Sequence, residues 1–463
     1  MIRNIFLFGA AIKFFGYTVY PPFWDACSYI LIGKYLFSDG KIGLIEPFRP
    51  LGWPLALGFF WKIGADPILC GRILEFLAGV GNILLVYFIG KKVYGRSTGL
   101  LAAFFLALSP TFFIWGNSLC SDVWASFLGL LTFIFYLNGA FFAAGLLGGI
   151  GSFTKFPQLS SVVLIGLLIV CADKDRRRVA VPLFVSGFSM AAILFLALNK
   201  KLYGDIFLPL KEGMVSYPYF LTEWYKGMSK CLKLLVGEEN YLLLFVPVGI
   251  ASLFQSRRDR FRWAVVLIGT VSLAWTGKFA VDHHRLSIAA LPYLFLLAAE
   301  GIVQSVFCLE QKQKKNLKRI LFLGILVCCF IQMARISHMH FPKNEMSALQ
   351  RYVRQHESRF QGKIWITNPN QFVFSNLKAD RLMYDPVFNI EKIQQLKLDL
   401  SRADVIILDS RDLVCRFPDD VSRCEEAKKD LLKMIRERFQ TDFFEENFTN
   451  TAVIGVFSIH KNF

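Results

Sequence analysis

Pro21-Pro22-Phe23-Trp24-Asp25-Ala26-Cys27-Ser28-Tyr29 is the stretch on which this chain is decided. An apolar run, residues 3–20, ends just before it, and the loop it opens runs to about Asp66, far longer than a helix connection needs. A long, partly apolar loop attached to an apolar span belongs at a bilayer surface, where Asp25 can serve as a base or metal ligand facing a lipid-borne substrate. Taken alone, Asp25 is better read as a solvated loop residue or a helix N-cap. The rest of the chain reverses that preference.

The chain is 54% hydrophobic and 19% charged, with mean hydropathy +0.45 over 463 residues. That balance is too apolar for a soluble protein and indicates many membrane spans. The 47 Phe and 9 Trp suit lipid-facing helices and interfacial belts. A net charge of +17 would suggest a nucleic-acid partner in a soluble protein; here the positive charge sits in short loops between apolar runs, so no nucleic acid is expected. Lys13 lies inside the first run and no small-residue cleavage site follows it, so that run reads as a retained span. Most cysteines lie in or beside spans and act as small hydrophobes. Cys415 and Cys424 lie together in a polar region and can form a disulfide if that region is extracytoplasmic. No pair of CxxC motifs exists, which argues against a structural zinc site.

About eleven apolar runs approach membrane length. They lie near 3–20, 67–90, 97–115, 121–138, 139–154, 158–172, 179–198, 239–255, 262–280, 286–306 and 319–337. Basic clusters follow four of them: Lys91, Lys92 and Arg96; Lys174 and Arg176 to Arg178; Arg257 to Arg262; and Lys312 to Arg319. Simple alternation puts all four on one side, so the N-terminus is predicted in the cytoplasm. The loops 21–66 and 199–238 then fall outside, with the tail 341–463. The tail is polar, with short apolar runs at Lys363 to Ile366, Val405 to Leu408 and Ala452 to Ile459, and helical patterns at Glu345 to Gln355 and Glu425 to Phe439. Such alternation predicts a small α/β domain. The expected architecture is mainly α: a polytopic helical bundle over 1–340 and an extracytoplasmic α/β domain over 341–463.

Ionisable residues gather at span ends on the outer face: Asp25 and Arg49 in the first loop, Asp122, Lys155, Tyr203 and Asp205, then Lys278, Asp282, His283, His284 and Arg285. Acids and bases converging on one membrane face can hold a phosphate and activate a hydroxyl, and charge near hydrocarbon is costly enough to need a use. Each member also has a plainer reading. Asp122 can be an N-cap, Lys155 and Arg285 can snorkel to headgroups, His283 and His284 are a weak metal signal, and Tyr203-Gly204-Asp205 can be a turn. Arg72 and Glu75, three apart, most simply pair within a helix.

These stretches, in this order, resemble the polytopic glycosyltransferases of the GT-C type, in particular the protein-mannosyltransferase and aminoarabinose-transferase group. The resemblance is carried by Asp25 to Tyr29 with Gly33-Lys34-Tyr35-Leu36, by Arg49-Pro50-Leu51-Gly52-Trp53-Pro54-Leu55, by Gly71 to Leu74 and Tyr87 to Gly95, by Ser109-Pro110 and Ser121-Asp122, by Tyr203-Gly204-Asp205, and by Arg285 to Pro292. It implies a membrane glycosyltransferase that moves a sugar from a polyprenyl- or dolichyl-phosphate donor to a protein, lipid or glycan acceptor on the outer face. The membrane would be a prokaryotic plasma membrane, with the endoplasmic reticulum as the alternative. Asp25 would be the general base. Lys155 and Arg285 would hold the donor phosphate, and Arg49, Asp122, Tyr203, Asp205, His283 and His284 would line the substrate or acceptor. Two departures stand out: Ala26 where many relatives have Glu after the first-loop Asp, and Ser-Asp-Val in place of Ser-Glu-Pro. They leave acceptor type open, and a divalent metal remains an option. The competing classes are a lipid or solute transporter, which usually carries midplane charges and paired repeats not visible here, and a non-catalytic partner in a glycan-assembly complex.

Overall fold

In this computed structural model the described residues are 22, 24–171, 174–216, 224–255, 260–277, 284–337, 346–384, 388–415, 421–446 and 453–458. The first apolar run, Lys278, Asp282 and His283 lie outside them.

The first loop folds into α1 (Trp24–Phe37) and α2 (Gly52–Lys62). The two helices cross where Gly33 meets Gly58; a Cβ on Gly33 would stand 2.7 Å from the Gly58 nitrogen, so only glycine fits. Asp66 then caps α3 (Pro67–Val93), accepting from the Ile68 N–H at 2.8 Å, with Pro67 in the first turn where a missing N–H costs nothing. The expected span at 97–115 is instead two helices, α4 (Arg96–Ala107) and α5 (Pro110–Trp115). Pro110 has no N–H to continue α4, and Ser109 restarts the chain by accepting from the Phe112 N–H at 3.0 Å.

The bundle continues through α6 (Ser121–Leu137), α7 (Phe141–Thr154), α8 (Gln158–Val170) and α9 (Lys174–Tyr203). The short α10 (Leu208–Ser216) and α11 (Trp224–Leu234) follow. The expected span at 239–255 is irregular: a π turn, a 3-10 turn, and α12 (Val246–Ala251), bent by 114° from α11. Then come α13 (Arg260–Thr276), a 3-10 turn at His284–Ala289, α14 (Leu291–Gln311) and α15 (Lys315–Ser337). Among the described residues, α3, α9, α14 and α15 are long and apolar enough to cross a bilayer singly, and the bent pair makes a fifth candidate. The helices α4, α6, α7 and α8 are apolar but shorter. Buried aromatics join the central helices: Phe105 lies 6.2 Å from Phe295, and Phe133 6.0 Å from Tyr293. By contrast α9 and α15 turn Ile193 and Phe330 outward, as lipid-facing helices do.

The tail holds α16 (Ala348–Gln355), β1 (Ile364–Ile366), β2 (Arg381–Leu382), α17 (Ile390–Asp399), β3 (Val405–Asp409), α18 (Val421–Arg438), β4 (Gln440–Glu446) and β5 (Val453–Ser458). The sheet order is β2-β1-β3-β5-β4. β2, β1 and β3 are parallel, and β5 is antiparallel to both β3 and β4. Successive residues of the central strands feed two cores. Trp365, Ile406 and Phe457 pack with α17 and α18, while Ile366, Ile407 and Val456 pack with α16. Burial on both faces explains the unbroken apolar runs of β1, β3 and β5. Cys415 and Cys424 are disulfide-bonded.

The first loop is built into this tail. Leu31 and Leu44 complete its second core. The Gly43 N–H donates to Leu377 O and the Ala379 N–H to Gly43 O, each at 2.8 Å. The buried ammonium of Lys34, on α1, donates to the carbonyls of Val373 (3.0 Å) and Ser375 (2.8 Å).

Candidate active site

Asp25 stands in the first turn of α1 and Asp122 in the first turn of α6. Although 97 residues apart in number, they share one partner. Arg285, on the 3-10 turn before α14, pairs through Nη1 with Asp25 and donates from Nε to Asp122 Oδ2 at 2.7 Å. Arg49 Nη1 lies 2.8 Å from Asp25 Oδ1, and its Nε pairs with Glu46. Lys155, at the C-terminal end of α7, pairs with Asp122 Oδ1. Five charged side chains from the first loop, α6, the end of α7 and the turn before α14 thus form one ladder: Arg49, Asp25, Arg285, Asp122, Lys155.

Each rung is positioned by local structure. Arg49 lies over Tyr29 and Phe48, and Arg285 over Trp115, at 5.1 to 5.4 Å from the ring centres. Gly52 lets the start of α2 press against Thr154, where a Cβ would meet the Thr154 Cα at 2.9 Å; this brings the Arg49 loop beside Lys155. Tyr29 Oη and Ser121 Oγ hydrogen-bond at 3.2 Å and tie α1 to the start of α6. The turn before Asp122 is strained: Leu119 has φ +59°. Its peptide is held from both ends, since Glu75 Oε2 accepts the Leu119 N–H (2.8 Å) and Trp53 Nε1 donates to Leu119 O (3.0 Å).

Asp122 is no N-cap: Cys120 holds that position and the Asp122 carboxylate is spent on Arg285 and Lys155. Lys155 and Arg285 turn inward to these acids rather than out to headgroups. Tyr203 ends α9 with its hydroxyl buried and within electrostatic reach of Tyr35 and Glu46, not in the ladder itself. Asp205 is exposed and engages Lys211 and the Phe207 N–H, apart from the ladder. His284 opens the turn that carries Arg285; His283 lies outside the described residues. Sequence reasoning missed Glu46, which also accepts from Ser28 at 3.1 Å, and the bracing roles of Trp53 and Glu75. An acid three residues before Arg49 was the available signal for Glu46.

Burial would raise the Asp25 carboxyl, but the guanidiniums of Arg49 and Arg285 outweigh it and hold the group well below the usual carboxylate range. A divalent metal does not fit this arrangement. Both carboxylates are already neutralised, and a dication bridging them would face the Arg285 guanidinium at close range. Among the described residues no group of three or more His, Cys, Asp or Glu side chains is placed to hold a metal ion.

Residues 49–198 match the family model described as dolichyl-phosphate-mannose-protein mannosyltransferase. No curated protein matches the chain by sequence. The structure is similar to that of the Archaeoglobus fulgidus oligosaccharyltransferase in its apo form (TM-score 0.62, 12% identity, covering 100% of this chain and 74% of that one). It is similar to ArnT from Cupriavidus metallidurans bound to undecaprenyl phosphate (TM-score 0.62, 10% identity, 100% and 98%). It is also similar to the mycobacterial arabinofuranosyltransferase AftD (TM-score 0.52, 11% identity, 88% and 36%). The likeness is one of fold: this chain has the fold of the polytopic membrane glycosyltransferases of the GT-C type.

Proposed function

We propose that this protein is a multi-pass membrane glycosyltransferase that takes a sugar from a polyprenyl- or dolichyl-phosphate donor and passes it to an acceptor on the outer face. The arrangement that goes with this has eleven spans, a cytoplasmic N-terminus and the tail outside; the Cys415–Cys424 disulfide supports an oxidising compartment for the tail. The membrane is a prokaryotic plasma membrane or, failing that, the endoplasmic reticulum. ArnT was solved with undecaprenyl phosphate and the archaeal enzyme with dolichol-phosphate, which supports the donor class.

The observation that carries the reading is Arg285 bridging Asp25 and Asp122. A guanidinium placed between two acids can turn one edge to an incoming phosphate. Donor phosphate, once bound, competes with Asp25 for Arg285 and gains Lys155 as a second cation. The glycosidic bond then breaks with its electron pair going to the phosphate oxygen, and the two cations stabilise that charge. The acceptor oxygen bonds the anomeric carbon while its proton passes to Asp25. With Arg49 and Arg285 both in place Asp25 is a weak base; loss of Arg285 to the phosphate raises its basicity when donor is bound.

The test is sugar transfer by purified protein in detergent, with a panel of radiolabelled polyprenyl-phosphate monosaccharides. Asp25→Asn should lose about 10²- to 10⁴-fold in turnover, the range for a general base, while staying folded with a melting temperature lower by only a few degrees. Equal turnover in the variant would move the base elsewhere, and no turnover on any donor would end the transferase reading.

A further inference from the structure

The three parallel strands of the tail end at one edge of the sheet, and that edge is turned to the amino end of α1. Past β2, the Tyr384 ring lies 4.6 Å from Trp24, the residue before Asp25. Past β1, Thr367 and Asn368 lead into a 3-10 turn, Pro369–Gln371, that packs against α1. Past β3 comes the turn Ser410–Asp412. Loops at the carboxyl ends of parallel strands are where open α/β sheets bind ligands.

Hydrogen-bond acceptors are left over at this edge. Gln371 is buried (7% exposed), with Nε2 donating to Thr367 Oγ1 at 3.3 Å and Oε1 without a partner. Asn368 Nδ2 donates to Asp412 Oδ1 at 3.1 Å, and among the described residues the only other hydrogen-bonding group beside the half-buried Asp412 carboxyl is the Thr367 hydroxyl, already engaged by Gln371 and the Asp409 N–H. Buried acceptors in native proteins are nearly always satisfied, and each left bare costs about 1–3 kcal/mol. The neighbouring Asp409 makes no such demand, because Arg411 Nε donates to it at 2.8 Å. Burial, then the charge of Asp409, pushes the Asp412 carboxyl up to about 7, so near neutral pH it can donate as well as accept. Planar groups that both donate and accept match neighbouring hydroxyls on a ring, and an aromatic face such as Trp24 or Tyr384 suits the ring's C–H side. A metal would want several ionised carboxylates, which this edge lacks.

We propose that Asn368, Gln371 and Asp412, with the Trp24–Tyr384 pair beside them, form a subsite for a carbohydrate ring, so that the acceptor is itself a glycan or carries one. The word acceptor rests on the transferase reading; the subsite itself does not. Trp24, whose ring flanks the subsite, is the residue before Asp25 in the chain.

The experiment is saturation-transfer NMR on the full chain in detergent, with methyl glycosides of mannose, glucose, galactose and arabinofuranose at millimolar concentration. Wild type should show transfer to at least one glycoside. Gln371→Leu and Asp412→Asn should each weaken it about fivefold or more, the effect of one lost hydrogen bond, and Asp25→Asn should leave it intact. Gln371→Leu should melt no lower than wild type, since it removes a bare buried acceptor; a structural role for that amide would lower the melting temperature instead. If Gln371→Leu does not fold, Asp412→Asn decides. No transfer to any glycoside, or equal transfer in the folded variants, overturns the proposal. Neither donor nor turnover enters this measurement, so it fails independently of the Asp25→Asn assay.

Discussion

Breaking the inner rung of the ladder should cost more than removing it. In Asp122→Asn the amide keeps the shape but leaves Lys155 without its carboxylate, and Arg285 with Asp25 only. The Asp122 side chain is 1% exposed, which makes the pair a buried one, while Lys155 is 20% exposed and can partly rehydrate. Losing one partner of a buried pair costs 3–5 kcal/mol, so the partial exposure argues for about 3. With unfolding entropy at about 2.1 cal/mol/K per residue, the 463 residues convert that loss into a fall in melting temperature of roughly 3 °C. Adding Lys155→Met removes the stranded charge, so the double variant should be no less stable than Asp122→Asn itself, with a coupling of about 2 kcal/mol. The assay is thermal unfolding of the four proteins in one detergent. If the two single effects add to within about 0.5 kcal/mol, the two side chains do not share a buried interaction and the ladder is wrong at that rung.

Three further predictions rest on the same geometry. The free-enzyme Asp25 is held below the usual carboxylate range, so it is ionised at every pH above that and kcat/KM should show no acid limb from it near pH 4 to 5. Donor phosphate drawing Arg285 away raises its pKa, so the acid limb of kcat should lie at higher pH than that of kcat/KM; coincident limbs would refute the exchange of partners. Transfer should continue unchanged after exhaustive chelation, because cations already occupy both carboxylates; loss of activity to chelator with recovery on adding back metal would overturn that. Burial lowers Lys34 from 10.5 to about 8, against the pull of Glu357. The folded state therefore binds fewer protons than the unfolded chain between those values, and stability relative to Lys34→Met should rise across that window by about 3 kcal/mol, read by chemical unfolding at each pH.

Helix positions were legible because apolar runs are a one-dimensional signal: each predicted run within the described residues coincides with a helix, unbroken or broken. Breaks were not. Ser109-Pro110 carries a capping and a breaking signal, yet both lie inside a run whose mean hydropathy reads as one span. In the tail, β1, β3 and β5 were visible since burial on both faces leaves unbroken apolar runs, while β2, two residues long with Arg381 in it, and the edge strand β4 carry no such mark. Of the site, Asp25, Arg49, Asp122, Lys155 and Arg285 were found as residues at span ends; their pairing was not, because which acid meets which base depends on contacts between the first loop, α6 and the turn before α14. Glu75 shows the same limit: its spacing from Arg72 suggests an intrahelical pair, and nothing in that spacing says that its carboxylate also holds the strained Leu119 peptide before Asp122.

The attachment of the tail bears on the chemistry more than its separate composition suggests. α1 carries Asp25 at its start and Lys34 near its end, and Lys34 is buried with two tail carbonyls as its hydrogen-bond partners. An ammonium in that setting is costly, and a methionine would fill the same space without desolvation. What the ammonium adds is direction: two fixed carbonyls define where α1 sits along the tail edge, and Gly43 clamps the chain just after it through both of its backbone groups. The helix that presents the base is therefore held at one end by the bundle, through Arg285 and Ser121, and along its length by the tail. The bundle and the tail thus fix α1 at separate points along one helix, and both set where Asp25 stands.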